Sequence, residues 1–264
     1  MKTIALCGLA LAGVAGTATA GVDINAGDLT INRVYELGQA SNGGARLDAG
    51  ASYSNITNFG GQAYANGGAE LQGANTITRM VIDDTVWAGP NLAGQSVLTL
   101  RFSVANLNTT AVSARARVRF YLDNGSGAPG NYYTGFTFNA INFNTGVTTV
   151  TGGLAAGAFL AVAPGTRLWA GIVFDNNNGA TGATAAQLNN LGQGIFNPVD
   201  IGSSADSAFQ TAAAGSFLVN NPAGSSFNFN GNPAANFGWE FVVPAPSSLA
   251  LLGLGGLVAA RRRR

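Results

Sequence analysis

Hydrophobic and polar residues alternate along much of the chain between residues 21 and 243, in short runs separated by Gly, Asn, Asp and Pro. The clearest run is VSARARVRFYL at 112–122, where Val, Ala, Phe and Leu hold every second position and Ser, Arg and Tyr hold the others. A period of two places one set on a dry face of a β-strand and the other on a wet face. This run therefore predicts a half-buried strand of the kind found in antiparallel sheets.

Further short runs of β-branched and aromatic residues also predict strands. They cover residues 29–37, 77–83, 97–105, 132–139, 147–151, 159–163, 167–174 and 236–243. No long amphipathic helix is indicated between residues 21 and 243. We therefore expect an all-β fold, a single antiparallel β-sandwich that is jelly-roll-like.

Two long segments, 38–76 and 175–235, are rich in Gly and Asn and poor in strand signals. Structureless loops of that size are unusual in a compact domain. We expect the aromatic residues of the second segment to pin long loops onto the sandwich. Poor order is expected near 180–190 and 203–216.

The amino-acid composition limits the functional classes to which the protein can belong. Charged residues make up only 9% of the 264 residues, against roughly 25% in an average globular protein. Between the terminal segments, eight basic residues face twelve acidic ones, a net charge of −4, which provides no general attraction to nucleic acid. The chain has no His, and its one Cys, Cys7, lies near the N-terminus. These absences exclude His-based zinc sites and Ser–His or Cys–His nucleophilic pairs.

The first twenty residues have the three parts of a cleavable secretory signal. Lys2 is followed by an apolar run at 4–14 and then by small residues that include Ala18 and Ala20. We expect an N-terminal signal helix, cleaved by signal peptidase after Ala20. Cys7 raises the alternative of a lipoprotein, but Leu6 stands before it, where a small residue is needed.

The chain ends in VPAPSSLALLGLGGLVAARRRR, residues 243–264. Residues 247–260 carry no charge, and as a helix they would rise about 21 Å, less than the ~30 Å hydrocarbon core of a bilayer. Arginines at a membrane boundary belong on the cytoplasmic side and act as a stop-transfer signal. Here these are Arg261, Arg262, Arg263 and Arg264. We expect a short transmembrane helix at 247–260 that holds the exported chain in the membrane.

The order of these parts resembles the PEP-CTERM sorting signal of bacterial surface and exopolysaccharide-associated proteins. The resemblance covers only about residues 243–264, and it implies processing by exosortase, a membrane-embedded enzyme similar to cysteine transpeptidases. Pro244, Ala245 and Pro246 would form the recognition motif, with Ala245 where the family usually has Glu. An uncleaved single-pass tail anchor is the alternative.

Arg115, Arg117 and Arg119 lie on one face of the strand predicted at 112–122, about 6.6 Å apart. A row of arginines can grip the anionic groups of a polysaccharide, and these three are candidate glycan or anion contacts. The other interpretation is a solvated face whose arginines pair with Asp or Glu on neighbouring strands.

The segments at 123–125 and 175–179 offer several side-chain oxygens in tight turns, which makes calcium binding a candidate. Asp and Asn are also ordinary turn residues, and we expect no metal site or other cofactor. A glycoside hydrolase needs only two carboxylates. The candidates are Asp83, Asp123, Asp175 and Glu240, and no surrounding motif supports them, so no catalytic residue is assigned.

The sequence thus predicts a signal peptide at 1–20, a β-sandwich domain at 21–242 and a sorting signal at 243–264. The predicted function is that of an exported protein, first membrane-anchored and then located at the cell surface or in the extracellular matrix. There it would have a structural or adhesive role, with extracellular polysaccharide as a candidate partner, and no enzymatic activity. The alternatives are a secreted carbohydrate- or calcium-binding module and a secreted glycoside hydrolase.

Overall fold

The computed structural model describes residues 23–25, 30–37, 50–89, 92–215 and 219–243. It is mostly strand, 52%, with almost no helix, and its antiparallel sheets form a sandwich-like all-β fold. The predicted fold class is therefore confirmed. The predicted signal helix and the apolar stretch at 247–260 lie outside the described residues.

The larger sheet has nine strands. Seven of them follow one another in the order β1 (Asp23–Asn25), β10 (Pro129–Phe143), β9 (Val112–Asp123), β12 (Arg167–Asp175), β7 (Val81–Val86), β14 (Ala208–Thr211) and β15 (Gly224–Phe227). At one end of β12, β6 (Asn75–Ile77) pairs with it and with β5 (Glu70–Gln72). β1 runs parallel to β10, whereas the other pairs of this sheet are antiparallel.

The smaller sheet has seven strands. Five of them form the path β2 (Thr30–Leu37), β11 (Gly146–Gly153), β8 (Thr99–Asn106), β13 (Leu191–Phe196) and β4 (Phe59–Ala65). The last strand of the domain, β16 (Trp239–Val242), lies between β8 and β3 (Ala51–Ser54). β11 pairs with the whole of β8 along one edge, and β16 and β13 share the other edge, so β8 is flanked on both sides.

The core is built from the facing surfaces of the two sheets. The ring of Phe102 on β8 lies 5.1 Å from that of Phe138 on β10. Phe120 on β9 lies 5.8 Å from Trp239 on β16. All four side chains are fully buried. Close aromatic packing across the sandwich compensates for a sequence in which much of the apolar content is Ala and Gly.

The prediction of a strand at 159–163 is wrong. Residues 154–165 form an irregular segment with one isolated bridge, between Leu160 and Ser96. Phe159 inserts its ring into the core, 4.7 Å from Phe120 and 5.6 Å from Phe241. An apolar run that fills one end of a sandwich has the same composition as a buried strand, which explains the error.

The two Gly- and Asn-rich segments contain more regular structure than expected. The first holds β3, β4, β5 and β6, and the second holds β13, β14, β15 and a short helix, α1 (Ala185–Asn189). Thr184 caps α1 by accepting from the backbone N–H of Gln187, whose side chain accepts from the backbone N–H of Thr184. This helix falls where poor order was predicted. The capping box fixes the local structure despite the weak apolar pattern.

Candidate functional site

The most directly predicted functional segment begins where the described chain ends. Val243 is fully buried, and its N–H donates to the carbonyl of Gly50 over 3.2 Å. The predicted sorting motif starts at the next residue. Its members, Pro244, Ala245 and Pro246, lie outside the described residues, as do Ala18, Ala20 and the predicted stop-transfer arginines, Arg261, Arg262, Arg263 and Arg264.

The strand before that segment is fixed by polar as well as apolar contacts. Glu240 on β16 is fully buried and forms an ion pair with Arg101 on β8. The hydroxyl of Ser54 on β3 donates to Glu240 over 3.1 Å. A buried carboxylate is tolerated only when it is paired and hydrogen-bonded, as Glu240 is. These contacts make Glu240 a structural group that joins three neighbouring strands.

Two of the three candidate glycan-binding arginines are paired within the protein. Asp175, fully buried at the end of β12, accepts from Arg115 Nε over 2.6 Å and pairs with Arg117 Nε over 2.7 Å. Arg115 also donates to the side chain of Asn177. Burial raises the pKa of Asp175, while the N–H of Asn177 and the charge of Arg115 oppose that rise. This geometry matches the interpretation in which the arginines pair with a neighbouring strand.

Arg119 was expected on the solvent-exposed face of β9, but it is not exposed to solvent. Its side chain is fully buried, and its guanidinium donates to the carbonyls of Val118 and Phe136. Gly135 on β10 leaves the space beside it, because a Cβ at that position would lie 2.6 Å from Arg119 Cδ. Arg119 is therefore not available to a polysaccharide. Sequence alternation alone cannot show that the outer face of a strand is covered.

The outer face of the nine-stranded sheet is covered by a second, smaller hydrophobic core. It consists of Ile77, Met80, Ile82, Tyr121, Trp169, Val173, Phe209 and Ala214. Tyr121, expected on the wet face of β9, is fully buried in it. Burial raises the pKa of Tyr121 above its usual value, so its hydroxyl stays protonated in any ordinary buffer.

Two buried carboxyls with raised pKa values lie at adjacent positions of β7, which the sequence did not single out as a pair. Asp83 and Asp84 are both buried. Ser204 Oγ lies 3.3 Å from Asp83 Oδ1 and 3.1 Å from Asp84 Oδ1. Consecutive residues of a strand point to opposite faces, but Ser204 lies beside the strand edge, next to the bridge between Val86 and Ser203, and contacts both.

The partners of the two carboxyls differ. Asp83 accepts from the N–H of Phe237, and Asp84 pairs with Arg167 Nε over 3.1 Å. Burial, followed by the charge of Asp84, raises the pKa of Asp83 well above its usual value. Burial also raises the pKa of Asp84, with Arg167 opposing it. Ser204 Oγ also lies 2.9 Å from Asn236 Oδ1, so its hydroxyl is within hydrogen-bonding distance of three side-chain oxygens.

In the two candidate calcium loops, the carboxylate oxygens are bonded to other groups of the protein. In the first, Asp123 accepts from the N–H of Gly125 and from Trp169 Nε1, and in the second, Asp175 binds the two arginines. Within the ranges that the structure covers, there is no group of three or more His, Cys, Asp or Glu side chains placed to hold a metal ion. These contacts are those of turn and strand-end residues.

An aromatic group at the open side of the sandwich combines two phenylalanines of the segment expected to pin loops with Tyr64, which the sequence did not single out. Tyr64 on the edge strand β4 stacks on Phe227 of the edge strand β15, with ring centroids 4.9 Å apart. Phe229 lies 5.5 Å from Tyr64 and 5.6 Å from Phe227. All three rings are half-buried. Tyr64 lies in a Gly-rich segment that gave no strand signal, so only the fold brings it next to the two phenylalanines.

Comparison with known proteins agrees with the analysis of the C-terminus. Residues 242–264 match the family model of the PEP-CTERM protein-sorting motif. This signal marks a protein that is exported and sorted by exosortase at the membrane. Searches of the curated proteins and of the solved structures found no match to this chain. In the described part of the chain, no helix has the length and apolar character needed to cross a membrane.

Proposed function

We propose that the sandwich is a structural or adhesive protein of the cell surface or extracellular polysaccharide, delivered there by its sorting signal. Signal peptidase would remove residues 1–20, and exosortase would recognise Pro244, Ala245 and Pro246 while the terminal arginines stay in the cytoplasm. The mature protein is then the β-sandwich alone.

The observation that supports this role is the lack of charge on the exterior. Among the residues whose side chains the structure describes, Glu70 is the one charged residue that lies largely in solvent. Others are buried in pairs such as Arg101–Glu240, or accept backbone hydrogen bonds, as Asp206 does from Phe229 and Ala235.

An exterior of Asn, Ser, Thr, Gln and Gly presents neutral hydrogen-bonding groups to its surroundings. Such a surface suits contact with the hydroxyl groups of a hydrated polysaccharide, because neither partner must give up a strongly hydrated charge. This property fits a matrix component better than a freely diffusing secreted protein.

Processing is tested by intact mass spectrometry of protein extracted from the surface of the native host. The expected mass lacks the leader and the four terminal arginines. A parallel strain that produces the chain without residues 244–264 should lose retention at the surface. Recovery of the untruncated chain from the cytosol, with its leader attached, would contradict the proposal.

The matrix role is tested with protein recovered from the surface and polysaccharide purified from the same cells. Binding should be retained when NaCl is raised from about 0.05 to about 0.5 M, because contacts between uncharged groups are not screened. Binding that disappears over this range would indicate charged contacts instead. No measurable binding, and no change in the matrix when the protein is deleted, would refute the role.

A second candidate function, sugar recognition by a binding module, is supported by the half-buried rings of Tyr64, Phe227 and Phe229. Aromatic faces stack on sugar rings, and these three lie where the two sheet edges meet. Tyr64→Ala should then weaken binding at least about tenfold, by loss of a stacking contact. Leu71→Ala, at another exposed position on the nine-stranded sheet, is the control that should bind normally.

A further inference from the structure

The sorting signal is joined to the core of the sandwich without a spacer. Val243 is fully buried, and the uncharged stretch at 247–260 begins four residues later. Four extended residues span at most about 14 Å. While the apolar stretch is held in a bilayer, the end of the sandwich that contains Val243 must therefore stay within that distance of the lipid.

The strand pairing identifies that end of the molecule. Val242 pairs with Thr99 at the start of β8, and the N–H of Leu98 donates to the carbonyl of Val242 over 3.0 Å. Residues 94–98 precede β8, and residues 154–165 lie against them. We name these two segments together the exit surface.

Backbone hydrogen bonds hold the exit surface in place. The N–H of Val97 donates to Phe159 over 2.9 Å, and that of Gly94 donates to Ala161 over the same distance. Phe159 anchors the longer segment in the core, where it is almost fully buried. The exit surface is thus a fixed part of the fold that lies at the same end of the sandwich as Val242 and Val243.

The chemistry of the exit surface is apolar and neutral. Neither segment contains a charged residue. Leu98 is 37% exposed and Leu160 is 38% exposed, which makes them two of the few large apolar side chains that the described domain leaves in solvent. The remaining exposed positions of 154–165 are mainly small residues: Ala155, Ala156, Gly157, Ala163, Pro164 and Gly165.

We propose that the exit surface lies against the extracytoplasmic face of the lipid bilayer while the sorting signal holds the chain there. The proposal rests on the proposed function, because the signal must hold the chain in the membrane. The short connection supplies a high local concentration of lipid, so two leucines and a neutral surface suffice where they would not recruit a free protein. The surface carries no basic residue, so zwitterionic lipid is an adequate partner.

The chain offers a matched pair of positions for the test. Leu98 precedes β8 and Leu107 follows it, and both are exposed, by 37% and 50%. They lie roughly 30 Å apart at the strand rise, so only one of them can be near the bilayer. In a full-length chain carrying Cys7→Ser, a fluorophore is attached at Leu98→Cys or at Leu107→Cys. The chain is then reconstituted in phosphatidylcholine vesicles with a nitroxide quencher at the lipid headgroup.

Quenching should be at least about twofold stronger at position 98 than at position 107, because quenching falls steeply over the distance between headgroup and probe. Leu160→Ser should reduce it at position 98 only. Equal quenching at both positions, or none at either while the chain remains bound to vesicles, overturns the inference but leaves the sorting role intact. Self-quenching at position 98 without lipid quenching shows a second copy there, which also overturns it. A chain that does not bind vesicles refutes both proposals.

Discussion

Asp83 and Asp84 illustrate how this protein places its few charges. Each is buried, and the hydroxyl of Ser204 lies within hydrogen-bonding distance of both. Burial, followed by the charge of Asp84, favours the protonated form of Asp83. The same segment joins the two sheets, since Ile201 bridges to Ser54 and Ser203 bridges to Val86. The protonation state of Asp83 is thus coupled to a contact between the layers of the sandwich.

The raised pKa of Asp83 predicts a stability that depends on pH. A group with a folded pKa above its unfolded value binds more protons in the folded state, and its contribution is complete below the unfolded pKa, near 4. That contribution is lost as pH rises through the folded pKa. The free energy of unfolding of Asp83→Asn, measured with urea across pH, should decline less on the alkaline side than that of the wild type.

Asp206 provides the internal comparison for this measurement. Burial disfavours its ionised form, but N–H donors of Ala235, Phe229 and Gly231 outweigh burial and lower its pKa. Its contribution is present above the unfolded pKa and lost as pH falls through the folded pKa. Asp206→Asn should therefore flatten the acid side of the stability profile and leave the alkaline side unchanged. Identical profiles for the two variants would contradict both assignments.

Neutralising Asp175 should be costly, because this buried carboxylate pairs with two arginines. Asp175→Asn keeps the shape of the side chain but leaves Arg115 and Arg117 without their common partner. Removing one member of a buried pair typically costs about 3–5 kcal/mol, and partial exposure of the arginines reduces that to about 2–3 kcal/mol. Urea denaturation measures the loss. Glu70→Gln, at an exposed site, should be nearly neutral, and an equal effect of the two changes would refute the role of Asp175.

At the scale of elements, the sequence predicted strands best where the alternation was long. β9 starts at Val112 as predicted and ends one residue later than predicted, while β12 and β8 agree to within two residues at each end. β4 was missed because FGGQAYA contains no β-branched residue. Its pairing with β13 comes from the tertiary fold. The prediction of a strand at 159–163 was wrong for the opposite reason, because an irregular segment that fills the core has the same composition as a buried strand.

The candidate sites were less predictable than the strands. The sorting signal could be recognised because it is a local order of parts, complete within the last 22 residues. The arginine row could be placed on one face, but its pairing with Asp175 depends on the register of β9 with β12. Ser204 is separated from Asp84 by 120 residues, and no local pattern connects them.

The last strand should be indispensable for the fold. Trp239 is fully buried and packs against Phe102, Phe120 and Phe241. Trp239→Ala should reduce the free energy of unfolding by about 3–5 kcal/mol, which is the usual loss for a buried aromatic side chain. Thermal melting followed by circular dichroism measures it. Leu71→Ala, at a site 72% exposed, is the control, and similar melting of the two variants would argue against the role of β16.

At the scale of the whole molecule, most charged side chains of the described residues are buried, ion-paired or hydrogen-bonded, and Glu70 is the one that lies largely in solvent. Ion pairs such as Arg101–Glu240 are shielded from solvent ions. The melting temperature should therefore change by less than about 3 °C between roughly 0.05 and 0.5 M NaCl. A larger change would show that exposed charges stabilise the fold. Calorimetry on protein extracted from the surface makes this measurement.

The position of β16 has a consequence for the order of events during secretion. Glu240 pairs with a residue 139 positions earlier and hydrogen-bonds to one 186 positions earlier. A polypeptide that crosses a membrane from its N-terminus delivers β3 and β8 first, and a slot between them stays empty until the final stretch emerges. The stretch that fills the slot is immediately followed by the stretch that, under the proposed function, halts translocation. In that case arrest in the bilayer and closure of the sheet coincide, and the domain matures at the membrane and not ahead of it.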